Sequence, residues 1–112
     1  MLIEEKIEIL RKQVIVHSYI YYECDDNIID DWIWSEWARC LQYLQEKYPE
    51  YSEMVSYEYD QFKDFDWSTG FDFKYSTDII KYANELMELQ EWEKQLLVVK
   101  ISNIVREVKK ND

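Results

Sequence analysis

Pro49 and Gly70 are the only proline and the only glycine in this 112-residue chain, and that scarcity constrains the fold more than any motif. Tight turns between strands need residues that accept positive φ or fix φ near −65°, so an all-β architecture is nearly barred. With 47% hydrophobic and 17% aromatic residues, the composition belongs to a globular chain with a core. The expectation is one all-α domain over residues 1–112. A domain of this size buries about 60–68% of its unfolded surface.

The apolar spacing divides the chain. Ile3, Ile7, Leu10, Val14, His17 and Tyr21 recur at steps of four and three, which predicts a helix over about 2–23. Glu4, Glu5 and Glu8 lie in its first turns, where the macrodipole favours them. An acidic turn follows. Trp34, Trp37, Leu41, Leu44 and Tyr48 then form a second stripe, predicting a helix over 31–48 that Pro49 stops and Asp31 caps. The two helices make a hairpin. Residues 52–77 read as an acidic, aromatic connector with a short helix near 51–62. Its Phe65, Trp67, Phe71 and Phe73 either tuck over the hairpin or stay exposed as partner anchors.

From Ser76, Thr77 or Asp78, each able to cap, a long C-terminal helix is predicted over about 78–109. Its apolar residues include Ile80, Ala83, Met87, Leu97, Ile101, Ile104 and Val108. Gln90 and Lys94 interrupt that stripe, so a shift of face or a bend is expected there. The span 96–105 is apolar on more than one face. It needs cover from the hairpin or from a second copy, which makes a homodimer through this helix a candidate.

Catalytic chemistry finds little to work with. One histidine in the chain permits no triad, dyad or zinc site of the usual kind. His17 lies on the apolar stripe and reads as a hydrogen-bonded core residue. Cys24 is seven residues on, about 10 Å along a helix axis, too far for a thiolate–imidazole pair. Asp64, Asp66 and Ser68 have the 1-3-5 spacing of a calcium loop. Thr69 then stands where glycine is required and Tyr75 where a bidentate glutamate is required. The expectation is a protein with no metal and no enzymatic activity. No run of 18 apolar residues spans a membrane, and the acidic, amphipathic start is unlike a secretory signal. Cys24 and Cys40 read as thiols of a reducing cytoplasm.

Charge adds a direction. The net charge is −11. Residues 1–49 carry 10 acids and 5 bases, 50–78 carry 8 and 2, and 79–112 carry 6 of each. Phosphate backbones need a basic patch, so direct binding of nucleic acid is disfavoured. An acidic surface instead suits a protein partner whose basic groove normally holds nucleic acid. Asp60, Asp64, Asp66, Trp67, Phe71 and Asp72 are the candidate partner-binding residues.

Leu10, Arg11, His17, Tyr19, Tyr21, Tyr22, Asp31, Leu41, Leu44, Lys47, Pro49 and Glu50 also form a pattern. Over residues 10–51, without a gap, it resembles the N-terminal helical subdomain (Ia) of bacterial NAD-dependent DNA ligases. The family pattern is Leu-Arg, a Tyr-x-Tyr-[His/Tyr] cluster, an Asp at the next helix start, and a Leu-rich helix ending in Pro-Glu. The resemblance implies a site for the nicotinamide mononucleotide half of NAD, on Tyr21, Tyr22, Asp31, Trp34 and Ser35. The family has Tyr and Asp where this chain has Trp34 and Ser35. It also has a Lys-x-Asp-Gly for lysine adenylylation, which is absent here. Small ligase-like proteins of this kind resemble bacteriophage products, which would place this one in the cytoplasm of an infected bacterium. Two functions are therefore expected. The first is a non-enzymatic inhibitor of a host or defence protein, such as a nucleic-acid-binding nuclease, in the manner of an anti-CRISPR. The second is a stand-alone binder of NAD or nicotinamide mononucleotide.

Overall fold

The computed structural model describes residues 1–68 and 72–111, and over them the chain folds into six helices with no strand. These are α1 (Ile3–Glu23), α2 (Asp31–Lys47), α3 (Pro49–Met54), α4 (Tyr59–Phe62), α5 (Thr77–Glu88) and α6 (Glu91–Asn111). The fold is all-α, as the shortage of breakers requires.

Helix α1 is the centre. Its stripe of Ile7, Leu10, Val14 and His17 is buried, and so are Ile15, Val16 and Ile20 on other faces. A helix apolar nearly all round belongs in the interior. Accordingly α2, α3 and α5 pack against α1, and α6 packs on α2. Tyr21, at the end of the stripe, emerges from the core and is half exposed.

The hairpin turn uses its acids. Asp25 adopts a left-handed conformation at φ 51°, which aspartate tolerates better than most residues. The Asp26 N–H reaches back to the Ile20 carbonyl at 3.2 Å. Here one expectation is corrected: Asp31 is not the cap of α2. Asp30 holds that position, with extended backbone at φ −73° and ψ 156° and no side-chain cap bond, and Asp31 is the first helical residue. Two successive aspartates offer the same chemistry, and the cap is the one whose backbone stays outside the helix. The Asp31 side chain is exposed.

Pro49 does more than stop α2. It opens α3 at the first helical position, where its fixed φ suits and no N–H is missed. The short helix expected over 51–62 is thus two pieces, α3 and the single turn α4, with Glu58 at φ 50° before α4. The space between them is organised by Arg11, whose side chain is fully buried. Its Nε donates to Gln45 Oε1 at 2.8 Å. One terminal nitrogen donates to the Val55 and Tyr57 carbonyls at 2.7 and 2.9 Å. The other donates to the Ser52 carbonyl and hydroxyl at 2.8 and 3.0 Å. All five N–H groups of the fork are used, and every acceptor is uncharged. Gln45 passes the link on by donating to the Phe62 carbonyl at 2.9 Å. Phe62 is fully buried, with Phe65 and Phe73 each 5.1 Å away, centroid to centroid. The connector's rings therefore do pack over the hairpin. Phe71 lies outside the described residues.

The long C-terminal helix is divided, where its stripe faltered. Leu89 turns extended at ψ 154° after α5. The Gln90 N–H then donates to Glu93 Oε1 at 3.2 Å, and the Gln90 carbonyl accepts from Glu93 and Lys94 at 3.0 Å. The break resets the helical phase. Helix α5 buries Ile79, Ala83 and Leu86, and α6 buries Val98, Ile101, Val105 and Val108. Trp37 Nε1 donates to Ser102 Oγ at 3.2 Å, and Lys109 pairs with Glu36 at 2.6 Å. Both contacts fasten α6 to α2. Leu96 and Val99 stay about half exposed on α6. Among the described residues no helix is long and apolar enough to cross a membrane.

Candidate functional site

The turn end of the α1–α2 hairpin forms a cleft of about 430 Å³, within the range of small-molecule sites. Helical spacing assembles it. His17, Ser18, Tyr21 and Tyr22 stand at i, i+1, i+4 and i+5 on one side of α1. Asp31, Trp34 and Ser35 stand at i, i+3 and i+4 on α2. Asn27, Ile28 and Ile29 of the turn close the end, and Trp67 and Ser68 of the connector form the remaining wall.

Several walls are held by contacts within the chain. Trp34 Nε1 donates to the Val14 carbonyl at 3.0 Å, which ties the indole to α1 by its edge. The Tyr21 and Tyr22 rings meet edge to face at 4.9 Å. Ser18 Oγ and the Tyr75 hydroxyl are 3.1 Å apart. Trp67 is fixed from outside the cleft: Gln42 Oε1 accepts from its backbone N–H at 2.9 Å, and the Arg39 guanidinium lies 4.1 Å from its ring centroid. Burial, then Tyr21 and Asp31, push the Tyr22 phenol above its ordinary pKa, so it remains a neutral donor at physiological pH.

His17 is the residue that sequence reasoning misjudged. It is 4% exposed, yet among the described residues neither ring nitrogen has a hydrogen-bond partner. Its ring stands edge-on to Trp37 at 5.5 Å. Burial lowers its pKa from 6.5 to about 4, so the imidazole is neutral, with one N–H donor and one lone pair. Orphaned buried polar groups are rare in folded proteins because each forfeits a hydrogen bond. Its position in the stripe, one turn before the Tyr21–Tyr22 pair, and its place in the ligase-like pattern marked it in the sequence.

Of the candidate ligand residues, Tyr21, Tyr22, Asp31, Trp34 and Ser35 all line this one cleft. Of the partner-binding candidates, Asp64 and Asp66 line a separate groove with Gln42 and Lys63. Asp60, Asp64, Asp66 and Asp72 are exposed. Asp66 is engaged locally, accepting from the Ser68 hydroxyl and N–H at 2.6 and 2.9 Å, which hold its carboxyl below the usual pKa. Trp67 belongs to the cleft wall. A larger groove of about 780 Å³ runs between α2 and the end of α6, sharing Asp31 and Ser35 with the cleft. Of its cations, Lys109 is paired with Glu36 and Arg39 stacks on Trp67. Among the described residues no group of three or more His, Cys, Asp or Glu side chains is arranged to hold a metal ion. Cys24 and Cys40 form no disulfide.

Fold and cleft together define an all-α chain with an aromatic cleft that carries one carboxylate, Asp31. Over 54 residues the chain is 39% identical to the DNA ligase of Acholeplasma laidlawii (strain PG-8A), a match covering 48% of this chain and 8% of the ligase. No protein-family model and no solved structure matches the chain.

Proposed function

We propose that the cleft at the turn end of the α1–α2 hairpin binds a nicotinamide nucleotide, NAD or nicotinamide mononucleotide, without catalysing a reaction on it. One observation carries this reading. The five residues on which the ligase resemblance would set the nicotinamide half converge on one cleft, beside a buried histidine with hydrogen-bonding capacity to spare. Tyr22, Trp34 and Trp67 offer faces for a flat cationic ring. Asp31 offers an exposed carboxylate that caps nothing. The partial likeness to a DNA ligase is consistent with the same site.

Calorimetric titration with NAD and nicotinamide mononucleotide tests it. The expected dissociation constant is on the order of 1–100 μM, about −8 to −5.5 kcal/mol, lost in Asp31→Ala. Absence of heat and of thermal stabilisation up to millimolar ligand would overturn the reading.

The exposure of Asp60, Asp64, Asp66 and Asp72 supports a second reading, in which this acidic face occupies the basic groove of a nucleic-acid-binding protein. Charge would then set the encounter rate, so association should slow steeply with salt. Reversing the four aspartates to lysine should lower the on-rate at least tenfold. Binding to such a partner that is indifferent both to salt between about 50 and 500 mM and to those reversals would eliminate it.

A further inference from the structure

The cleft's charge is one-sided. Among the described residues neither lysine nor arginine lines it, and its one ionised side chain is Asp31. The chain around it repeats the bias: His17 to Glu36 holds six acids and no lysine or arginine. Arg39, the cation stacked on Trp67 at 4.1 Å, lines the neighbouring groove and not the cleft. A nicotinamide nucleotide carries two opposite demands. Its N-substituted pyridinium is a cation, stabilised by aromatic faces and a carboxylate. Its phosphate is a dianion, normally held by arginine, lysine or a row of backbone N–H groups.

We propose that this cleft recognises the cationic nicotinamide nucleoside and not the phosphate, so that nicotinamide riboside binds at least as tightly as nicotinamide mononucleotide. The inference rests on the nicotinamide reading above and narrows it. Asp31 meets the positive charge, the Trp34 and Trp67 rings cover the pyridinium, and His17 supplies the polar contact. A neutral imidazole with a free N–H and a free lone pair matches a primary carboxamide, which both accepts and donates. An unpartnered side chain buried to 4% exposure among the lining residues distinguishes this site from a mere cluster of acids. Among the described residues that line the cleft, the phosphate would meet no cation.

The test is a set of titrations on the intact protein at about 50 mM salt, where screening is weak. The ligands are nicotinamide riboside, nicotinamide mononucleotide and uncharged nicotinamide. The riboside should bind as tightly as the mononucleotide or more tightly, with nicotinamide at least tenfold weaker. Asp31→Asn should weaken the riboside at least fivefold and leave nicotinamide unchanged. His17→Phe, which keeps a ring in the core, should weaken all three. A mononucleotide bound at least fivefold more tightly than the riboside would overturn the inference while the nicotinamide reading stands. Riboside affinity unchanged in Asp31→Asn would also overturn it. Failure of the riboside and the mononucleotide to bind at all would overturn both.

Discussion

Arg11 poses a question of magnitude that mutation can decide. Its guanidinium is fully buried and among the described residues meets no carboxylate, and burial lowers its pKa, with the nearby Tyr59 opposing. Replacing it with methionine removes a charge from the interior, a gain of several kcal/mol in some buried ion pairs. The same change strands five acceptors. Four of the five bonds are fully buried, and a buried acceptor left unpaired costs about 1–3 kcal/mol. The carbonyls of Ser52, Val55 and Tyr57 come from the end of α3 and the segment after it, where a helix has no onward N–H to offer them. Water cannot replace Arg11 without opening the contact of α1 with α3. Four acceptors at the low end give about 4 kcal/mol, and relief of the buried charge offsets part. We expect a net loss of about 3 kcal/mol for Arg11→Met, a large share of the 5–15 kcal/mol typical of a domain. Arg11→Lys keeps the charge, brings at most three donors to five acceptors, and should lose about 2 kcal/mol. Urea unfolding followed by tryptophan fluorescence and by far-ultraviolet circular dichroism measures both. A methionine variant within about 1 kcal/mol of the parent, or more stable than the lysine variant, would refute this ranking.

Three further outcomes follow from the cleft and its supports. Asp31→Ala should change unfolding free energy by less than about 1 kcal/mol, because Asp30 holds the cap position and Asp31 contributes only a first-turn charge; denaturant titration checks this beside the loss of ligand heat. His17 has a folded pKa near 4 against 6.5 unfolded, so the unfolded state binds the extra proton between those values. Stability should therefore be full above about pH 6.5 and fall by up to about 3 kcal/mol towards pH 4. That slope, measured by urea unfolding at several pH values, should be smaller by this amount in His17→Phe. Arg39→Ala should free Trp67 from its 4.1 Å cation stack, costing about 0.5–1 kcal/mol at this half-exposed site and loosening the cleft wall, which weakens ligand binding without abolishing it.

Much of the fold was legible because it depends on period. The 4-3 spacing from Ile3 to Tyr21 and from Trp34 to Tyr48 locates α1 and α2 within a residue or so, and the scarcity of breakers sets the class. What spacing could not state was which helix lies in the middle. The extra buried residues of α1, Ile15, Val16 and Ile20, fall between stripe positions. They become core only because α5 covers the far side of α1. The C-terminal break was visible only as a flaw, since leucine and glutamine at 89 and 90 are ordinary helix residues. The backbone departs there because α5 packs on α1 and α6 on α2, and one straight helix cannot do both.

Arg11 and His17 show why buried polar residues of α1 resist reading from sequence. Both sit one helical face from leucine and valine, and the same burial gives them opposite fates. Arg11 is matched by five acceptors that arrive 34 to 46 residues later in the chain, so its polarity is satisfied by tertiary structure and its role is to hold α3. His17 faces Trp37 and the cleft, where no such acceptors arrive, so its polarity remains available. A pattern of residue types records that a polar group is buried, but not whether the rest of the chain answers it. At Arg11 it does. At His17 it does not, and a buried donor and acceptor are left without partners among the described residues, beside the cleft. That difference, and not the presence of a histidine on a stripe, is what sets the turn end of the hairpin apart from the core at its middle.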